Sequence, residues 1–218
     1  MIYSANYGGW DPPRAQPVAV RMFTDETHPL TLAAPYVPER GDRAHPTDPQ
    51  TQNRLNAKWW KLRPDLACPE AEVTVWIDAS VTILRPDIEA LALEELGDDD
   101  ALFMRHPWRD DIYAEQEASH PNMKYDGQPT AGQVAHYRAD GHPEHWGLIQ
   151  TTMLVRRNNA RVRALDEAWW DEIVRWSIQD QLSLPYLLRM FTKRRLRWHY
   201  WPENPIAAGW LRWGSYNA

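Results

Sequence analysis

The segment Glu72-Val73-Thr74-Val75-Trp76-Ile77-Asp78-Ala79-Ser80 runs from an unbroken apolar stretch directly into an acid. Its apolar residues are mostly β-branched or aromatic, which predicts a strand at 72–77 that is buried on both faces. Asp78 then lies at the exit of the strand, where a carboxylate can reach a ligand without full burial. The alternative is that Asp78 only caps a turn or a helix.

The two residues that follow decide what Asp78 can bind. An Asp-x-Asp motif at a strand exit supplies the oxygen ligands that Mg²⁺ or Mn²⁺ prefers against a diphosphate. Here Ser80 replaces the second acid, and its hydroxyl can ligate a metal but adds no charge. His199, in the last predicted strand, is the third candidate metal ligand, with a purely structural role as its alternative.

Strands and helices alternate along the rest of the chain, which predicts one α/β domain over residues 1–218. Its mostly parallel, Rossmann-like sheet is expected to be flanked by helices, with the ligand crevice at the carboxyl ends of the strands. The other predicted strands are 1–5, 18–24, 101–104, 147–156 and 196–200. The predicted helices are 51–62, 86–96, 160–176 and 180–191, and the predicted loops are 30–52 and 120–145, the latter as a lid.

Composition narrows the class of protein. The formal charge of −6 argues against a generally basic nucleic-acid coat. Cys68 is the only cysteine, so an internal disulfide and a cysteine-built zinc site are both excluded. No stretch approaches the roughly 20 apolar residues of a membrane span, and we expect a cytoplasmic protein without one.

Polar side chains cluster at three further places. Arg54 and Lys58 are four residues apart and share a helix face, which suits a diphosphate or, alternatively, solvent. Asp180 either caps the following helix or, together with Gln181, faces a sugar. The segment after the strand at 101–104 carries more polar groups than a turn requires, and at least two of them are expected to contact ligand. They are His106, Arg109, Asp110, Asp111, Tyr113 and Glu115.

Several short motifs, taken in order, resemble one known family. The similarity spans residues 2 to about 186. The motifs are Tyr7-Gly8-Gly9-Trp10-Asp11, Phe23-Thr24-Asp25, Trp76-Ile77-Asp78-Ala79-Ser80, His106-Pro107 with Arg109, and Asp180-Gln181-Leu182-Ser183. They are similar to glycosyltransferase-like proteins long classified as a domain of unknown function, whose plant members are linked to wall and mucilage polysaccharides. That family is in turn similar to GT-A enzymes such as those of glycosyltransferase family 8.

The resemblance implies a GT-A-like fold and a role for several positions. Asp78 matches the first acid of the metal motif, and Asp180 with Gln181 matches the pair that faces the transferred sugar. Tyr7 and Asp25 match the nucleoside-binding strand ends. Gln150 stands where a Glu is expected.

The expected activity is therefore transfer of a sugar from a nucleoside diphosphate sugar to a hydroxyl acceptor, assisted by Mg²⁺ or Mn²⁺. If the similarity to retaining enzymes extends to the mechanism, the configuration at the anomeric carbon is kept. The acceptor is a saccharide, a small molecule or a hydroxylated nucleic-acid base. In an inverting enzyme, Asp110, Asp111 or Glu115 would act as general base. The alternative function is a non-catalytic module that binds glycans or nucleic acid in an aromatic crevice.

Overall fold

A central sheet of seven strands organises the part of the chain that the computed structural model describes, namely residues 1–9, 11–12, 14–25, 36–40 and 49–214. The strand order is β3-β2-β1-β4-β7-β6-β8. These strands are β1 (Ile2–Asn6), β2 (Val20–Thr24), β3 (Tyr36–Arg40), β4 (Val73–Ile77), β6 (Ala101–Arg105), β7 (Ile149–Arg157) and β8 (Trp198–Tyr200), and a separate two-stranded sheet contains β5 (Val81–Ile83) and β9 (Leu211–Trp213).

Helices cover both faces of this sheet. They are α1 (Pro49–Lys61), α2 (Pro64–Ala67), α3 (Ile88–Leu96), α4 (Ile112–Ser119), α5 (Thr130–Ala139), α6 (Ala160–Arg175) and α7 (Asp180–Thr192), with a 3₁₀ turn at Met123–Tyr125. Four of the six neighbouring strand pairs are parallel, and β7 is antiparallel to both β4 and β6. The predicted α/β fold, with a mostly parallel central sheet flanked by helices, is confirmed.

Alternate residues of the central strands enter two separate cores. Tyr3 and Trp76 pack on one face with α1, α6 and α7, whereas Ile2 and Val75 pack on the other face with α3. Because both faces are covered, every residue of β1 and of β4 is buried. This double burial explains why β4 is an unbroken apolar run in the sequence.

The structure differs from the sequence-based expectation in two segments. The predicted loop at 30–52 contains β3, a parallel edge strand beside β2, where Pro38 is tolerated because an edge strand leaves one side unpaired. The predicted lid at 120–145 contains α5, whose buried residues Thr130, Gln133, Val134 and Tyr137 recur at helical spacing despite the neighbouring Pro and Gly.

A buried ion pair fixes the end of α1 against the sheet. Arg156 of β7 bonds to Asp166 of α6 at 2.6 Å, and both side chains are essentially inaccessible to solvent. The same guanidinium donates to the Lys61 carbonyl at 2.5 Å and to the Tyr3 hydroxyl at 2.8 Å. The backbone of Lys61 is therefore held by the core, while its side chain extends to the strand exits.

Among the described residues, no helix is both long and apolar enough to cross a membrane.

Candidate active site

A pocket of about 400 Å³ opens where β1 and β4 end and β7 begins. Residues of α1 and the first residues of α7 line it together. This is the position that a ligand crevice takes in an open α/β sheet. Nine of the predicted site residues line it: Arg54, Lys58, Asp78, Ser80, His106, Arg109, Glu115, Asp180 and Gln181.

Two lysines and two carboxylates form the centre of the pocket. Asp180 Oδ2 accepts hydrogen bonds from Lys58 Nζ at 2.7 Å and from Lys61 Nζ at 2.9 Å. Lys61 Nζ also lies 3.2 Å from Asp78 Oδ1. The ammonium group of Lys61 thus bridges the acid at the exit of β4 and the acid at the start of α7.

These contacts shift the pKa values of the cluster. Burial lowers the pKa of Lys58 to about 8, a shift that Asp180 partly offsets. Burial also acts to lower the pKa of Lys61, but Asp180 and Asp78 outweigh it and raise that pKa. Although burial favours the neutral acid, the two lysines hold the pKa of the Asp180 carboxyl far below its usual range. The two lysines therefore favour the carboxylate form of Asp180.

The contacts of both acids differ from those of a cap. The carboxylate of Asp180, the first residue of α7, bonds to lysine side chains. Asp78 Oδ1 accepts from Trp76 Nε1 at 2.7 Å as well as from Lys61. The sequence left open that each acid caps a helix or a turn. The side chains of Asp78 and Asp180 instead accept hydrogen bonds from lysine and tryptophan side chains.

The three predicted metal ligands do not come together. Ser80 lies beside Asp78 in the pocket, but His199 does not line it. His199 pairs with Leu102 at the beginning of β6, away from the strand exits. Its ring nitrogens contact Asp99 Oδ2 at 2.8 Å and the Glu95 carbonyl at 3.0 Å. The parallel pairing of β8 with β6 places His199 at this end of the sheet.

A second buried acid lies on the α4 side of the pocket. Glu115 accepts from Arg109 Nε at 2.5 Å and from Gln179 Nε2 at 2.8 Å. Burial raises its pKa, although the bond to Arg109 opposes this shift. Gln179 in turn bonds to the Tyr125 hydroxyl. The network ties α4 to the residue that precedes Asp180.

His106 is held as a neutral imidazole beside this network. Burial, followed by the nearby charge of Arg109, lowers the pKa of His106 to about 4. Its Nδ1 accepts from the backbone N–H of Arg109 at 3.1 Å, so the neutral ring carries its proton on Nε2. Nε2 lies 3.8 Å from Glu115 Oε2.

Asp110 and Asp111, the other two predicted general bases, do not line the pocket. Asp111 caps α4 by accepting from the Tyr113 and Ala114 amides at 2.8 Å. Asp110 Oδ2 lies 2.9 Å from His145 Nδ1 at the surface. Among the described residues, Asp110, Asp111 and His145 are the one group of His, Cys, Asp or Glu side chains whose ligand atoms all approach within 4.8 Å and could hold a metal ion.

Tyr7 and Asp25 lie at the ends of β1 and β2 but outside the pocket lining. The Tyr7 hydroxyl accepts from Trp60 Nε1 at 2.9 Å, and Asp25 Oδ2 accepts from the Gly8 amide at 2.8 Å. The latter bond joins the loops that follow the two strands. Gln150 does line the pocket, where its Oε1 accepts from Asn204.

Sequence reasoning missed several residues that line the pocket. Lys61 is three residues after Lys58 on the same helix, a spacing that makes the two neighbours but does not place either of them in the pocket. Trp108 lies in the segment after β6 and is 78% exposed. Lys124, Tyr125 and Gln179 lie in or beside segments read as a loop or a helix end, where the sequence carries no periodic signal. The missed lining residues with polar or aromatic side chains are Lys61, Trp76, Trp108, Lys124, Tyr125, Thr151, Thr152, Gln179 and Trp213.

The chain is similar to three solved structures of glycosyltransferases. The chain is similar to the apo form of mouse xyloside xylosyltransferase 1, with 8% identity, a TM-score of 0.48, and 92% of this chain and 84% of that chain covered. It is also similar to a glycosyltransferase involved in glycosylation of the major capsid of PBCV-1, with 10% identity and a TM-score of 0.41; 78% of this chain and 68% of that chain are covered. A third similar structure is the bifunctional glycosyltransferase WbbM, with 14% identity and a TM-score of 0.43; 84% of this chain and 33% of that chain are covered.

A family model provides the sequence-level match. The model described as the TOD1/MUCI70 glycosyltransferase-like domain matches residues 46–203, which is more than half of the chain. The matched range contains the two lysines, both central acids and Glu115. No curated protein sequence matches the chain.

Proposed function

Because the chain belongs to the TOD1/MUCI70 glycosyltransferase-like family, we propose that it transfers a sugar from a nucleoside diphosphate sugar to a hydroxyl acceptor. The observation that carries this proposal is the paired ammonium groups of Lys58 and Lys61, held by Asp180 and Asp78 at the strand exits. Two cations in a crevice of this size suit a diphosphate. In this proposal, Asp180 and Gln181 contact the sugar that is joined to the phosphates.

The reaction breaks the bond between the anomeric carbon and the diphosphate oxygen and forms one between that carbon and the acceptor oxygen. The nucleoside diphosphate leaves with the electron pair of the broken bond, and the proton of the acceptor hydroxyl passes to a phosphate oxygen of that leaving group. Positioning of the two substrates and stabilisation of the leaving charge supply the rate enhancement. Retention of configuration would place the Asp180 carboxylate or the Gln181 amide beneath the anomeric carbon.

Incubation of the purified chain with a panel of sugar nucleotides tests the proposal. Chromatography should detect release of a nucleoside diphosphate, and the anomeric proton signals of the product should identify its configuration. Lys193→Met is a suitable control, since Lys193 lies after α7 and does not line the pocket. A module that only binds glycans or nucleic acid would release no nucleoside diphosphate from any member of the panel.

The affinity for a nucleoside diphosphate should depend on pH through Lys58. The ammonium form of Lys58, which binds phosphate, predominates below a pKa of about 8 and is lost above it. Its charged neighbours are Asp180, which favours the ammonium, and Lys61 and Lys124, which oppose it. Because a bound diphosphate also favours the ammonium, binding at about pH 8.5 should take up a proton, and above the pKa affinity should fall by up to about tenfold per pH unit.

Calorimetry of the best-binding nucleoside diphosphate, in buffers of different ionisation enthalpy, measures this proton uptake directly. Lys58→Arg keeps a charge that does not titrate in this range, and it should flatten the dependence between pH 7 and 9. An unchanged pH profile in that variant would show that another group titrates.

The acceptor is expected to lie over Trp108. This indole lines the pocket and is 78% exposed, so its face is available to a sugar ring. Trp108→Ala should raise the acceptor KM by about fivefold to tenfold, which corresponds to about 1 kcal/mol of lost stacking. The donor affinity and the melting temperature should not change.

Met123→Ala is the matched control for Trp108→Ala, because Met123 is 83% exposed but does not line the pocket. Initial rates at varied acceptor concentration distinguish the two variants. Equal KM values for both would place the acceptor elsewhere.

A further inference from the structure

Lysine is rare in this chain and is concentrated at one place. The sequence contains four lysines, Lys58, Lys61, Lys124 and Lys193, among 24 basic residues. Three of the four line the pocket. An ammonium is a compact point charge with three N–H donors, unlike the planar guanidinium that the chain uses elsewhere.

The two innermost lysines keep donors available. Lys61 uses two N–H groups for Asp78 and Asp180, and Lys58 uses one for Asp180. One N–H of Lys61 and two of Lys58 have no hydrogen-bond partner among the described residues. The carboxylates thus orient both ammonium groups without saturating them.

The donor set at Asp78 does not fit a divalent cation. Asp78 Oδ1 already accepts from Trp76 and from Lys61. Position 80 is a neutral Ser. Within the described parts of the chain, the group of acids and histidines that could hold a metal is at Asp110, Asp111 and His145 instead. A second cation on Asp78 would also lie within a few ångströms of the Lys61 ammonium and be repelled by it.

We infer that the ammonium groups of Lys61 and Lys58 stabilise the departing diphosphate in place of a divalent cation, so that transfer requires no metal. This inference rests on the proposed function. As the bond to the anomeric carbon breaks, its electron pair moves to the diphosphate oxygen, and the unused N–H groups donate to the phosphate oxygens there. The lysines keep their protons throughout, because each remains paired with Asp180.

A comparison of metal-free and metal-supplemented protein tests the inference. The full chain is treated with EDTA, and binding of uridine, guanosine, cytidine, thymidine and adenosine diphosphates is measured by calorimetry in EDTA, in Mg²⁺ and in Mn²⁺. Release of nucleoside diphosphate from the corresponding sugar nucleotides is measured in the same three buffers. We expect equal affinity and equal turnover in all three.

The outcomes separate this inference from the proposed function. Binding and turnover that occur only with Mg²⁺ or Mn²⁺ would overturn the inference and leave the proposed function standing. Absence of binding and turnover in every buffer would overturn both.

Substitution of Lys61 provides a second readout. Lys61→Met keeps the length of the side chain but removes its charge, and it should lower kcat by about 10²-fold, the typical cost of one lost donor to a developing negative charge. Addition of Mn²⁺ should not restore the rate, whereas Lys61→Arg should retain part of it. Lys193→Met serves as the matched control.

Recovery of Lys61→Met by Mn²⁺, or a rate equal to that of Lys193→Met, would overturn the inference. Melting curves show whether Lys61→Met is folded. If it is not, the comparison of wild-type protein in EDTA and in metal decides the question alone.

Discussion

Asp180→Asn is expected to reduce sugar transfer by about 10³-fold or more, the range found when a group that acts only in the transition state is removed. Asp180 is the acid that contacts both Lys58 and Lys61, at 2.7 and 2.9 Å. Asparagine has nearly the same shape but no charge, so both ammonium groups lose their main counter-charge. The proposed contact between the carboxylate and the sugar is lost in the same variant.

Steady-state kinetics of nucleoside diphosphate release measure this effect, with kcat expected to fall far more than the donor affinity. Asp171→Asn is the matched control, because Asp171 is an exposed acid on α6 that does not line the pocket. Circular dichroism and melting curves separate loss of activity from loss of structure. If folded Asp180→Asn turns over at the rate of Asp171→Asn, Asp180 has no catalytic role.

The position of Asp78 could be predicted from the sequence because it depends on local pattern. An apolar run buried on both faces must end at a sheet edge, and its terminal acid must lie near the ends of the parallel neighbours. Asp180 could be placed in the crevice through the family resemblance, because Asp180 with Gln181 matches the pair that faces the transferred sugar. The structure brings these two acids onto the same lysine, as their predicted places in a ligand crevice require.

Lys61 could not be assigned from the sequence alone. Helical periodicity shows that Lys58 and Lys61 are neighbours on α1, but not that this surface faces the strand exits rather than solvent. Its burial depends on Arg156, 95 positions later, which bonds to the Lys61 carbonyl. Contacts of this separation leave no periodic trace.

His199 is the converse case, a residue predicted as a metal ligand that the structure places outside the pocket. Its place in a strand next to aromatic residues suggested a ligand, but a strand pattern does not specify which neighbour it pairs with or in what register. The pairing of Leu102 with His199 places the imidazole beside Asp99, at the beginning of β6. Edge strand β3 was missed for a related reason, because pairing with β2 compensates for an unfavourable local sequence.

Loss of the buried ion pair between Arg156 and Asp166 is expected to have the largest effect on stability. Arg156→Met leaves the Asp166 carboxylate, 1% exposed, without the guanidinium that bonds to it at 2.6 Å. It also removes donors to the Lys61 carbonyl and the Tyr3 hydroxyl. Removal of one partner of a buried pair costs about 3–5 kcal/mol, and urea unfolding should show a fall of that size in the free energy of unfolding.

Two further variants test whether the loss of stability comes from leaving one buried charge without its partner. Arg138→Met breaks the surface pair with Glu144, whose side chains are each 56% exposed, and should cost less than about 1 kcal/mol. The double variant Arg156→Met with Asp166→Leu removes both buried charges and should recover part of the loss, since no carboxylate is then left unpaired. If Arg156→Met is no more destabilising than Arg138→Met, the buried pair does not hold α1 against the sheet, and Lys61 must be positioned by its contacts with Asp78 and Asp180 alone.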